Sequence, residues 1–154
     1  MLTIDPALIL LDLQASDATE VIHALAGQLH ALDLVAADYG QATLARERSH
    51  PTGLPTKPFC IAFPHADAEG VHQSSLAVAT LGTPVTFLNM ADPDEELDVY
   101  IVFLLANRDP EEQVQALRRL ALVFGQADKL VELRSLSSPE SAAAWLEQEL
   151  LAVQ

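Results

Sequence analysis

Residues 99–105 read Val-Tyr-Ile-Val-Phe-Leu-Leu, seven residues with no charge among them. The run is far shorter than the roughly twenty residues a membrane-spanning helix needs. Its β-branched and aromatic content favours a strand. A strand that is apolar at every position has no face to offer to water, so both faces must be covered. The chain must therefore supply helices for two sides of a sheet.

The helix signals are present. Asp17 with Glu20 forms a capping-box pattern, and Val21, Ile22, Leu25, Ala26 and Leu29 follow at helical spacing. A second helix is expected from about Asp38 to Ser49, stopped by Pro51. After the buried run, Asp109, Pro110 and Glu112 make a helix start, with Val114, Leu117, Leu120, Ala121 and Phe124 as its apolar face. Shorter helices are expected over 127–134 and from Ser138-Pro139 to about Leu151, with Trp145, Leu146 and Leu150 facing the core. Further strands are expected at 7–13, 59–63, 75–81 and 85–88, the last two separated by Gly82 and Pro84. Helices precede, interrupt and follow the strands. The expected fold is α/β, a mixed β-sheet flanked by helices, in one domain over residues 1–154.

Half of the residues are apolar and 19% are charged, which suits a folded domain. Eight basic against 22 acidic residues leave a formal charge of −14, which disfavours nucleic acid and anionic membranes; on charge alone it reads first as an aid to solubility, with attraction of a basic protein partner as the alternative. The first residues lack the basic start of a secretion signal, and the single cysteine allows no internal disulfide. A cytoplasmic protein without membrane insertion is expected. Cys60, inside a strand candidate, reads as packing.

One strand ends abruptly. Phe59-Cys60-Ile61-Ala62-Phe63 runs into Pro64, and the next residue is His65. Proline stops the ladder and pushes Phe63 to extended geometry. His65 is thereby aimed past the sheet edge, where sites collect in open α/β sheets, and is expected to be half exposed. His23, His30, His50 and His72 read as surface or capping residues. Pro51-Thr52-Gly53 reads as a compact turn, and Arg46 lies at the end of the helix before it. Gln113 shares a helical stripe with Leu117, Leu120 and Phe124, so it faces inward, either toward a site partner or toward a nearby carbonyl. Asp67, two residues past His65, reads as a cap of the following turn. A metal set of His65, Asp67 and His72 has no standard zinc spacing.

Arg46-Glu47, Pro51-Thr52-Gly53 and Ile61-Ala62-Phe63-Pro64-His65 together resemble the fructose/mannitol-type enzyme IIA domains of the bacterial phosphoenolpyruvate-dependent sugar phosphotransferase system. The order of elements matches from about residue 5 to 150. Many members have a second histidine where this chain has Gln113, and the galactitol-type branch is glutamine-like there, so the chain resembles that branch more closely. The resemblance implies an IIA-like α/β sandwich and a phosphocarrier. The basic protein HPr would load a phosphoryl group onto Nε2 of His65. The group would then pass to a cysteine of a IIB partner and on to a sugar entering through a membrane IIC. Arg46 would offer a forked cation to the phosphoryl oxygens, balanced against a surface ion pair with an acidic neighbour such as Glu47. Thr52 would donate its hydroxyl or stabilise the turn, and Gln113 would donate an amide proton. Repulsion of the bound phosphate by Asp67, helping its release, is the alternative to the turn cap. No cofactor and no metal are implied. A regulatory, nitrogen-type IIA whose phosphorylation state is read by other proteins would use the same His65.

Overall fold

A computed structural model of the chain describes residues 2–151; Met1 and residues 152–154 lie outside the described residues. The elements follow in the order β1 (Ile9–Leu13), α1 (Ala18–Ala31), α2 (Tyr39–Ser49), β2 (Gly53–Leu54), β3 (Cys60–Ala62), β4 (Ser75–Leu88), β5 (Glu96–Ala106), α3 (Pro110–Phe124), α4 (Ala127–Ser135) and α5 (Pro139–Leu150). The sheet order is β1-β4-β5-β3-β2. β4 runs antiparallel to β5, and β1 and β3 run parallel to their neighbours, so the sheet is mixed as expected.

The apolar run forms the second half of β5, with residues 101–106 all buried. Alternate side chains feed two cores. Val99, Val102 and Leu104 meet Val21, Ile22, Leu25 and Leu29 of α1 and Tyr39 and Leu44 of α2. Ile101, Phe103 and Leu105 meet Leu120 and Phe124 of α3, Leu130 and Leu133 of α4, and Leu146 of α5. Each such side chain, fully buried, stabilises the fold by about 1.5–3 kcal/mol. No helix of the described residues is long and apolar enough to cross a membrane.

Several boundaries differ from the sequence expectation. The two strand candidates at 75–81 and 85–88 are one strand, β4, whose register slips between Thr80 and Val85. Pro84 sits in that irregularity, where no ladder bond is needed from it. Residues 6–8 form a 3-10 turn before β1. Pro51-Thr52-Gly53 leads directly into a short strand, with Gly53 opposite Ala62 and Leu54 opposite Ile61. The box at α1 is displaced: Asp17 accepts from Glu20 N at 2.9 Å, but the Glu20 carboxylate takes the Ser16 N–H at 2.7 Å. On α3, Val114 is 55% exposed and Ala121 is also exposed, while Val123 is buried. The buried arc is carried by residues 116, 117, 120, 123 and 124, because the helix meets the sheet chiefly through its second half.

Candidate functional site

β3 and β5 are parallel, and their C-terminal ends share one edge of the sheet. Pro64 ends β3 proper, yet its carbonyl accepts the Leu105 N–H at 3.2 Å, so His65 is still paired beside Leu105. The next amide, Ala66 N–H, donates to the Tyr39 hydroxyl at 3.3 Å. That hydroxyl donates in turn to Leu105 O at 3.2 Å. Burial pushes Tyr39 up to about 12, so this link holds its proton throughout the ordinary pH range. The backbone on both sides of His65 is therefore tied to β5 and α2.

The imidazole is fixed by its own strand. Nδ1 lies 3.0 Å from Phe63 O, an atom that can only accept, so Nδ1 carries the proton and the neutral ring leaves Nε2 bare. The ring stacks on Phe63 with centroids 5.8 Å apart and planes 12° apart, and Phe63 is backed by Phe124 of α3. His65 is only 9% exposed, less than the half exposure expected, because Phe63 and the tied backbone cover one face. Burial, helped by the Arg46 charge, holds its pKa below the ordinary histidine value, against the opposing pull of the Phe63 carbonyl and Asp67. The ring is neutral and nucleophilic at neutral pH.

Thr52 sits under this strand. Its hydroxyl accepts the Phe63 N–H at 3.2 Å and donates to Glu47 Oε1 at 2.8 Å, and its own N–H donates to Glu47 Oε2 at 2.9 Å. The hydroxyl proton is thus taken by Glu47, which matches the local, turn-stabilising reading of Thr52 and not the donor one. Burial raises the Glu47 pKa, and the two Thr52 donors oppose that shift. Glu47 is a positioning residue; the sequence reading used it only in the Arg46-Glu47 pair and as a neighbour for Arg46. Gly53 is required by close approach: a Cβ there would lie 2.5 Å from Leu88 O. The same strand holds the far wall of the cleft, because Met90 N–H donates to Gly53 O at 2.8 Å.

What remains open above the ring is a cleft of about 300 Å³, lined by Arg46, His50, Thr52, His65, Met90 and Pro93 among others. Arg46 is half-buried, and its Nη1 is 3.8 Å from Asp67 Oδ1, so its acidic neighbour is Asp67 and not Glu47, which is engaged by Thr52. Asp67 accordingly faces a guanidinium instead of capping a turn. His50, read from sequence as peripheral, lines this cleft, with Nδ1 2.9 Å from Ser49 Oγ. Met90 is 44% exposed and gives the rim an apolar side.

Gln113 lies half-buried on the inward stripe of α3, as its spacing predicts, but it is not among the residues lining the His65 cleft. Of the residues expected at the site, His65, Arg46 and Thr52 line the cleft and Gln113 does not. Cys60 is half-buried in β3, packed against the α1–α2 side, and burial raises its thiol pKa. His72 turns to Asp33, 3.1 Å from its carbonyl and 3.3 Å from its carboxylate. Among the described residues no group of three His, Cys, Asp or Glu side chains could hold a metal ion. A separate cavity of about 280 Å³ between α3 and the end of α5 is lined by no histidine, cysteine, serine or threonine.

The mixed sheet with helices on both faces is a fold shared with solved IIA domains. The nitrogen regulatory protein IIA-Ntr of Neisseria meningitidis superposes with a TM-score of 0.75 at 27% identity, over 92% of this chain and 94% of that one. Enzyme IIA-Mtl of Escherichia coli, solved in complex with phosphorylated enzyme IIB-Mtl, superposes with a TM-score of 0.74 over 99% of this chain and all of that one; at 20% identity it speaks for the fold alone. Residues 3–149 match the phosphoenolpyruvate-dependent sugar phosphotransferase system EIIA 2 family, and the chain belongs to that family. The galactitol-specific EIIA component of Escherichia coli K12 is 31% identical over 121 residues, 78% of this chain and 79% of that protein. Membership makes phosphoryl transfer the general chemistry of the molecule.

Proposed function

We propose that the protein is a phosphocarrier whose His65 takes a phosphoryl group from HPr and passes it to the cysteine of a IIB protein for uptake of a galactitol-like sugar through a membrane IIC. One observation carries this reading: Nδ1 is held by Phe63 O, which leaves Nε2 without a proton, and His65 and Arg46 line one cleft. In the loading step the P–N bond of the donor histidine breaks as the Nε2–P bond of His65 forms. The donor imidazole leaves neutral, and the proton of His65 stays on Nδ1, hydrogen-bonded to Phe63 O. In the unloading step a IIB thiolate forms the S–P bond and Nε2 is bare again. The transition state is loose, so catalysis is positioning and charge stabilisation, which a fixed ring and one guanidinium supply. The acidic surface suits a basic donor. The identity to a galactitol-specific component supports the sugar branch, and membership of the phosphotransferase family supports a IIB acceptor.

The second reading is regulatory, favoured by the likeness to the nitrogen regulatory IIA of N. meningitidis. One experiment tests the site and separates the two. Acid-labile label from phosphorylated HPr is expected on the wild-type chain and absent in His65→Ala, and transfer onward to a IIB cysteine is expected for a sugar carrier. Label persisting in His65→Ala rejects the site. Label on His65 that no candidate IIB protein accepts favours the regulatory reading.

A further inference from the structure

Arg46 stands on the wall between two clefts. One holds His65; the other, about 540 Å³ and polar, holds Asp67, Asp38, Glu69 and Tyr39. The guanidinium leans toward the second. Its Nη1 is 3.8 Å from Asp67 Oδ1, close enough for charge attraction but beyond hydrogen-bond distance. Its Nε is buried and has no hydrogen-bond partner. The Asp67 side chain is 91% exposed, so releasing its carboxylate to water costs little. The Asp67 backbone, in contrast, follows directly on Ala66, which Tyr39 holds. A fixed strand end thus delivers a loosely held anion to the one arginine beside the nucleophile, and that arginine keeps a donor in reserve.

We infer that Asp67 is the resting counter-ion of Arg46, and that the guanidinium exchanges the Asp67 carboxylate for phosphoryl oxygens each time His65 is loaded. The inference rests on His65 being the phosphoryl acceptor. A phosphoryl group presents three oxygens and close to two negative charges, and a guanidinium fork binds it better than it binds one solvated carboxylate. Asp67, left unpaired two residues from the phosphohistidine, then repels the group and recovers Arg46 when it leaves. Asp67 in this way lowers the grip of the site on its cargo and sets how readily the phosphoryl group moves on. The two side chains already act on the His65 ring in opposite directions. Asp67 is a positioning residue, acting through Arg46.

The test is a double-mutant cycle on the full chain: wild type, Asp67→Asn, Arg46→Gln and the double variant. Each is loaded from phosphorylated HPr and, independently, from phosphoramidate, whose P–N bond breaks with loss of ammonia as Nε2–P forms. Asp67→Asn is expected to shift the phosphoryl equilibrium with HPr toward this chain by about fivefold and to lengthen the hydrolysis half-life of the phosphohistidine. Arg46→Gln is expected to abolish both effects of Asp67→Asn. In wild type the Arg46 Nε–H resonance moves on loading, a signature a purely structural pair does not give. An equilibrium within about 1.5-fold of wild type in Asp67→Asn, or an equal shift in the Arg46→Gln background, overturns the exchange. Label from phosphoramidate but not from HPr rejects the partner and leaves the exchange measurable through hydrolysis. Label on His65 from neither donor overturns both.

Discussion

The strand ends after β3 and after β5 lie side by side on one edge of the sheet, and they behave differently. The end of β3 is held by a bond within its own strand end and by bonds that reach across the turn to Thr52 and across to β5. Phe63 O accepts from His65 Nδ1, and Phe63 N–H donates to Thr52, whose hydroxyl proton goes to Glu47. The end of β5 leads into a helix with a well-formed cap, in which Asp109 accepts the Glu111 N–H at 2.8 Å. That cap fixes where α3 starts but not what its first turn touches. One end delivers a nucleophile into a cleft; the other delivers Gln113 to a half-buried position outside the cleft lining. A site is built where short-range bonds and tertiary bonds converge on the same ring, and local capping alone does not build one.

The largest expected effect strikes the floor of the first end. Gly53→Ala places a methyl group 2.5 Å from the Leu88 carbonyl oxygen, an atom of backbone that cannot rotate aside. The β2 strand must then shift, and with it both Thr52 and the Gly53–Met90 bond that holds the cleft wall. The loss is about 1–3 kcal/mol, a fall in melting temperature of several degrees for a chain of this size. Thermal melts check the stability, and loading of His65 checks the geometry. A variant as stable and as readily loaded as wild type breaks the claim that this end is rigidly built.

The same contrast explains what could be read from residues in a row. Pro64 and the PTG stretch were legible because proline and glycine constrain the backbone wherever they stand, and the apolar run 99–105 was legible because a strand without a polar face has only one solution. The single strand at 75–88 was not, because Gly82 and Pro84 interrupt pairing without ending the strand, which depends on the partner β5. The role of Glu47 and the pairing of Arg46 with Asp67 join residues five and twenty-one positions apart across a turn and a strand, and no periodicity announces such contacts. His50 was missed for the same reason: its place on the cleft is set by where α2 stops against the β4–β5 connection.

An intermediate effect sharpens the first side of the comparison. Burial and the Arg46 charge depress the His65 pKa, so its imidazole NMR titration is expected to have a midpoint below the ordinary value of about 6.5. The sign for stability follows. Between the depressed folded value and about 6.5, the unfolded chain binds more protons at this residue than the folded chain does, so stability rises with pH. The contribution is fully present above about 6.5 and is lost as pH falls through the folded value. Urea midpoints of wild type and His65→Gln, compared across that window, are expected to move in wild type's disfavour on acidification. A midpoint at or above the ordinary value means that the ring is more open than its 9% exposure states.

The smallest expected effect belongs to the second strand end. The resemblance to the family places Gln113 where many members have a second histidine, and on that ground alone would give it a contact with the phosphoryl group. The structure puts its side chain on the inward stripe of α3 but not on the lining of the cleft. Its backbone N–H bonds to Asp109 O at 3.0 Å as in any helix start, and this does not depend on the side chain. Gln113→Ala is therefore expected to fold as wild type does and to load His65 within about twofold of the wild-type rate, since alanine also suits a helix. The comparison breaks if loading falls tenfold or more with the melting temperature unchanged. That outcome would mean that α3 closes on the cleft once the phosphoryl group arrives, and that the two ends of the sheet edge act as one site only in the loaded state.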